Sequence, residues 1–427
     1  MQRILNHRPQ SDQDRTFETL TRYHFPSSAT IPIASTIYDN LALMPPRQST
    51  DEFRRAVCDL LIGLWSQCLD EKFYEPLYDL TELLQYILTL SPDSLSTSLL
   101  SRLVPVCQAT ADLVALPTAK ASMNRNPADG PSEEMKRHID PSDYLEILHL
   151  CVLNCYPSKD DLARFWTLME FDFVLLLLHK AQPISQTTEM LALLSTSLLP
   201  TTFGTITATP ITTAVPETTT NTSITQTHQQ KNESNLIDRL TTLLFETPQQ
   251  PPTPSPTSPH YTPHDLATLR TSTLALLTAL AHTPHGASLL RTHRLALGRL
   301  VRFLHDTLLA TYRRNPSAPT HALTTALVND TVLLLSHLTM PLTTSSSPPN
   351  NNNAPLVDIR AKLASVPGGA QKHLVSLARV AFAEGEGDGI GEVSAEAAEA
   401  AHAMLDVLLS PEEGEAVVEV FGSSAGR

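Results

Sequence analysis

Four groupings in this 427-residue chain have residue types that could do chemistry, and each fails on its setting. Gly422, Ser424 and Gly426 match the G-x-S-x-G of a nucleophile elbow, which needs a strand before the serine and a helix after it. No strand pattern precedes these residues and only Arg427 follows them. His282, His285 and His293 could offer imidazoles to zinc, but Pro284 and Gly286 set them in an interhelical turn, and no cysteine or acidic cluster completes a four-ligand shell. Asp160 and Asp161 have the look of a carboxylate pair for acid–base work. They follow Ser158 at the start of an apolar-periodic segment, where negative charge offsets the helix dipole, so capping is the expected role. The five cysteines form no C-x-x-C pair, and Cys151 and Cys155 lie four apart among apolar neighbours, the setting of buried reduced thiols. Neither G-x-x-x-x-G-K-[ST] nor G-x-G-x-x-G occurs, and glycines number only 14. The expectation is a protein that is not an enzyme, with no cofactor, no metal and no small-molecule substrate.

What remains is binding. The net charge of -14 is unevenly spread: Ala381 to Arg427 holds eleven acidic residues against one arginine, whereas Tyr261 to Arg314 holds seven arginines against two aspartates. A nucleic-acid binder would be basic across its folded part, so direct DNA binding is not expected. If Ala287 to Tyr312 is one helix, Arg291, Arg294, Arg299 and Arg302 share a face opposite Leu297, Leu300, Val301 and Leu304, by the 100° step per residue. That face is either solvated or a dock for an acidic partner, the chain's own acidic tail included. Phe165, Trp166, Phe171 and Phe173 form an aromatic run that is either core or partner contact. Thr247, Thr253, Ser255, Ser258 and Thr262 each precede a proline, as a proline-directed kinase requires.

These residues need elements to hold them, and the pattern is helical throughout. With 41% apolar and 5% aromatic residues, rich in leucine and alanine, the chain favours helix-on-helix packing. Apolar residues recur at helical spacing in Thr50–Leu69, Glu75–Leu90, Asp93–Leu116 (with a kink expected at Pro105), Asp140–Cys155 and Ser158–Lys180. The segments Phe165–Lys180 and Gln182–Pro200 read as a buried helical hairpin, with Pro183 ending the first arm. Asn124–His138 reads as a polar loop. The N-terminus has no apolar signal core, and no membrane span is expected; the uncharged run from Met190 turns to Thr, Ser and Pro after Leu199.

Residues 1–204 are therefore expected to form an all-α, HEAT- or armadillo-like helical-repeat block, in which each helix pair buries its apolar face against its neighbours. Residues 205–262 read as a low-complexity Thr/Pro-rich linker holding one short helix, Asn235–Phe245. A second helical block spans 263–341, a linker 342–356, and a helix with a weakly ordered, acidic, alanine-rich tail 357–427.

Three segments carry a family likeness: the run FWTLMEFDFVLLLLHKAQPISQTTEMLALLSTSLLPTTFG, the opening HRPQSDQDRTFETLTRYHFPSS, and FYEPLYDLTELLQYILTLSPDSL. Together they resemble the C-terminal helical region of fungal members of the ATR-interacting protein (ATRIP) family, with coverage of roughly residues 1 to 205 and a fainter one of 262 to 340. The family's acidic N-terminal recruiting segment and long coiled coil have no counterpart here. The resemblance implies a nuclear scaffold in DNA-damage checkpoint signalling and repair whose partner is a large ATR-type kinase. The alternative is an unrelated HEAT- or armadillo-like scaffold of another complex.

Overall fold

Ser49 opens the first long helix with a reciprocal cap: its hydroxyl accepts from the Glu52 amide at 3.2 Å while the Glu52 carboxylate accepts from the Ser49 amide at 3.1 Å. The same reciprocal cap recurs at Thr262 with Asp265 and at Ser410 with Glu413. The structure is a computed structural model that describes residues 2–9, 14–44, 49–90, 97–124, 126, 129–207, 220–249, 261–313, 320–340, 359–383 and 393–422. Among the described residues the regular elements are helical, and β pairing is limited to one isolated bridge between His24 and Pro32.

The chain divides into two compact units. The first, Met1–Ser197 with Thr205–Thr213, holds α1 (Gln2–Leu5), α2 (Thr16–Leu20), α3 (Ile33–Leu43), α4 (Thr50–Asp70), α5 (Leu77–Leu90), α6 (Thr97–Asn124), α7 (Glu133–His138), α8 (Pro141–Cys155), α9 (Lys159–Leu168), α10 (Phe171–Leu177) and α11 (Ile184–Ser195). The second, Leu198–Gly204 with Ala214–Arg427, holds α12 (Thr220–Leu243), α13 (Pro263–His282), α14 (Pro284–Thr292), α15 (Ala296–Tyr312), α16 (His321–Thr339), α17 (Ile359–Leu363), α18 (Gly369–Ala381), α19 (Ala395–Leu408) and α20 (Pro411–Val417). The sequence blocks 263–341 and 357–427 thus share one unit, where α15 packs on α18 and α16 on α19.

In the first unit α6 is the central strut, packed by α4, α8, α9 and α10. It has the length and apolarity of a membrane span, yet half of that stretch is buried against its neighbours. Pro105 and Pro117 lie inside it without ending it. Trp65 of α4 donates its indole N–H to Thr110 of α6 at 3.0 Å and lies against Tyr144 of α8, ring centroids 5.5 Å apart. The five cysteines are all buried and unpaired with one another here, and burial pushes the Cys58 and Cys68 thiols up to about 12.

Several expected helices are divided differently. Ser158–Lys180 is two helices, with a break at Met169 and Glu170. Gln108 of α6 fills that break: its amide donates to Leu168 O at 3.1 Å, and its carbonyl accepts from Glu170 N at 2.7 Å. One buried side chain therefore satisfies a donor and an acceptor that the interrupted helix would leave orphaned. The polar stretch 124–138 contains α7, capped by Ser132. The short helix expected at Asn235–Phe245 is the end of a longer one, α12, whose apolar side chains Leu236, Ile237, Leu240 and Leu243 are buried. Within the acidic tail, α19 buries Ala397, Ala401, Met404 and Leu405 against α16 and α18, while residues 384–392 and 423–427 lie outside the described residues. Ser158 does cap α9, with Asp160 and Asp161 in the first turn.

Candidate interaction surface

The aromatic run resolves into core. Phe165 and Trp166 are fully buried and meet edge to face at 5.5 Å, Phe173 is 2% exposed, and Phe171 is half-buried. A partner cannot reach Phe165, Trp166 or Phe173 in this fold, so the partner-contact alternative for these three is set aside. The stretch read as a buried hairpin is made of α9, α10 and α11, and Phe165, Trp166 and Phe173 lie in its core. Trp166 also holds chain: its carbonyl accepts from Ile206 N at 2.9 Å.

The four arginines do not share a face. The expected helix Ala287–Tyr312 is broken between α14 and α15, and His293 makes the break, its Nδ1 accepting from the amides of Leu295 and Ala296 at 3.3 and 3.1 Å. Arg291 lies on α14 and donates to the carbonyls of Leu338 and His337 at 2.9 and 3.0 Å, closing the end of α16. Arg299 donates to Asp238 and Thr241 of α12 at 2.8 and 3.0 Å. Arg302 pairs with Asp306 at 3.4 Å and lies over the Phe245 ring at 4.9 Å. Both carboxylates lie outside the acidic tail. Arg294 is exposed in the turn. Three of the four therefore tie the second unit together.

The histidines likewise occupy three settings. His293 caps, His285 reaches the buried Glu233 at 3.2 Å, and His282 meets His337 with ring centroids 4.9 Å apart and planes tilted by 55°. Of the proline-directed sites, Thr247 is exposed, and Thr262 is an exposed N-cap whose hydroxyl donates to Asp265 at 2.8 Å. Thr253, Ser255 and Ser258 lie outside the described residues.

The sequence did not point to a groove of about 830 Å³ between α13, α16 and α19 of the second unit. Its lining includes small residues, Ala275 and Ala279 of α13 and Ala400 and Ala403 of α19, beside Leu333 and Leu334 of α16. Its rim is polar: Asp330, whose carboxyl burial pushes up, Glu396, Glu399 and the His282–His337 pair. His337 donates from Nε2 to the Ala281 carbonyl at 3.0 Å, which holds the ring at the edge. The available signal was Glu396, Glu399, Ala400 and Ala403 at i, i+3, i+4 and i+7, one helical face.

Among the described residues no three His, Cys, Asp or Glu side chains come close enough to hold a metal ion. Helices that pack in pairs and leave a groove between them define a helical-repeat protein. The chain belongs to the Rad26-like family: the model for its helical repeats matches residues 106–339, that for its N-terminal domain residues 1–48, and that for its C-terminal domain residues 357–421. The crystal structure of Myceliophthora thermophila Rad26 (residues 373-841) is similar, at 28% identity and a TM-score of 0.76, covering 96% of this chain and 99% of that one. No curated protein matches. Rad26 is the fungal homologue of ATR-interacting protein, so the family likeness read from the sequence holds, and with it the all-α helical-repeat fold. The family is of the checkpoint-adaptor type and is linked to kinase partnership, which leaves no place for the unrelated-scaffold alternative.

Proposed function

We propose that this chain is a non-enzymatic adaptor that docks onto a large ATR-type checkpoint kinase in the nucleus, in DNA-damage signalling and repair. The observation that carries the reading is the Rad26-like helical-repeat match across residues 106–339, together with 28% identity to a solved Rad26 over nearly the full chain. Physical support comes from the surface. Helical repeats bind by laying helices of a partner along their exposed faces, and the groove between α13, α16 and α19, lined by alanines together with Glu396, Glu399 and Asp330, offers a surface for such a contact. Thr247 and Thr262 flank the Pro-rich stretch and are open to a proline-directed kinase. Affinity purification of the tagged full chain from its native cells is the test. A very large kinase of the ATR class in the eluate is the expected result, and its reproducible absence sinks the reading.

A further inference from the structure

In the second unit, a pocket of about 460 Å³ lies where the end of α12 meets α13, α15 and α16. Arg270 of α13 and Arg302 of α15 line it, against one carboxylate, Asp306. Arg302 is open to solvent: its side chain is 53% exposed, its Nε holds Asp306 at 3.4 Å, and its guanidinium lies over the Phe245 ring at 4.9 Å. The two terminal nitrogens, which carry most of the guanidinium's N–H donors, meet no acceptor among the described residues.

A second observation is the path of the chain. Leu244 and Phe245 before the Pro-rich stretch, and Tyr261 and Pro263 after it, line the same pocket. The pocket therefore lies at both ends of residues 250–260, which are themselves outside the described residues. Their sequence, QPPTPSPTSPH, holds no acidic side chain and no basic one beyond His260. Ser258 is followed by Pro259 and stands three residues before Tyr261, a separation along the chain of at most about 11 Å. Unmodified, this stretch offers the arginines no negative charge; a phosphate on it brings about -1.5 to -2.

We infer that the pocket lined by Arg270 and Arg302 is a phosphate site, and that its occupant is the chain's own stretch 250–260 once Ser258 is phosphorylated. In that modification the Ser258 oxygen bonds to the γ-phosphorus of ATP, the bond from that phosphorus to the bridging oxygen breaks to release ADP, and the hydroxyl proton passes to a proline-directed protein kinase. Arg302 then donates to the phosphate through its terminal nitrogens, the bidentate geometry that a guanidinium offers. The charge of Arg270 on another wall adds to the attraction, and that of Asp306 opposes it. The site does not rest on the adaptor reading.

The test is fluorescence anisotropy of a labelled peptide of residues 250–260, phosphorylated at Ser258, added to the full unmodified chain. The chain is expected to bind it about tenfold or more tighter than the unphosphorylated peptide. Arg302→Gln is expected to weaken binding by about tenfold, and Arg294→Gln, in the exposed turn, to change it by less than about twofold. Asp306→Asn removes the opposing carboxylate and is expected to tighten binding about twofold to fivefold, a gain that a damaged pocket could not give. A full chain made with phosphoserine at position 258 fills its own pocket, so the added peptide should bind it about tenfold or more weakly. Equal affinity for the two peptides, equal effects of Arg302→Gln and Arg294→Gln, or no binding at all would overturn the proposal. Undiminished binding to the chain phosphorylated at Ser258 would overturn it too, and would mark the pocket as one for a phosphorylated partner. Absence of the large kinase from the affinity eluate, with these results intact, would sink the adaptor reading and leave this one standing.

Discussion

Trp166 illustrates what a single residue can say. In sequence, a tryptophan in an aromatic run suits a core and a binding hot spot alike; only burial separates them. Fully enclosed beside Phe165, it is a core residue here, and Trp166→Ala is expected to cost the first unit about 3–5 kcal/mol in urea denaturation. The arginines separate in the same way. Arg299→Met removes the donor to Asp238 and Thr241 and is expected to cost about 1–2 kcal/mol, whereas Arg294→Glu, in an exposed turn, should stay within about 0.5 kcal/mol of the parent. A large loss for Arg294→Glu would mean that its turn is packed rather than open. Spacing could not show any of this, because the shared arginine face depended on an unbroken helix, and His293 breaks it with hydrogen bonds that leave no proline or glycine as a sign.

At the scale of elements, helices whose apolar period was long and regular were legible, and their caps with them: Ser158 and Asp140 act where the pattern put them. What was not legible depends on contacts made at a distance in sequence. The break between α9 and α10 is stabilised by Gln108, some sixty residues upstream, and the prolines within α6 are tolerated because packing outweighs their local penalty. The same holds for α12, whose Thr-rich start is a poor helix former. Its anchor is Glu233, 1% exposed, accepting from Phe203 N and Gln229 at 3.0 Å each and meeting His285 at 3.2 Å. Glu233→Ala strands the buried Phe203 amide and is expected to destabilise the second unit by about 2–4 kcal/mol, with Glu233→Gln largely restoring it because its carbonyl can still accept. A buried carboxyl at the start of α5 makes a pH prediction. Asp79 is pushed up to about 6 by burial, then Glu82, against Arg22. A carboxyl raised in the folded state binds its proton more tightly there than in the unfolded chain, so stability falls as pH rises from about 4 to about 6. Asp79→Asn should therefore raise stability at pH 7 by about 1 kcal/mol, give little change at pH 4, and flatten the slope between them; an unchanged slope would place the aspartate in a solvated setting.

At the scale of the whole molecule, the division into two units places the chain's natural reporters unequally. Both tryptophans, Trp65 and Trp166, and all five cysteines, Cys58, Cys68, Cys107, Cys151 and Cys155, belong to the first unit, and the second has neither. Intrinsic emission and thiol labelling thus observe one half of the protein, while circular dichroism observes both. Glu233→Ala is expected to lower the dichroism midpoint and leave the emission midpoint in place, and Trp166→Ala to move both; a shift of the two signals together for Glu233→Ala would mean the units melt as one. The enclosed thiols, held well above neutral by burial, will react with a maleimide only as fast as the first unit opens. The native chain is thereby its own stopwatch for that unit, and a tryptophan or cysteine introduced into α16 or α19 would be needed to time the other.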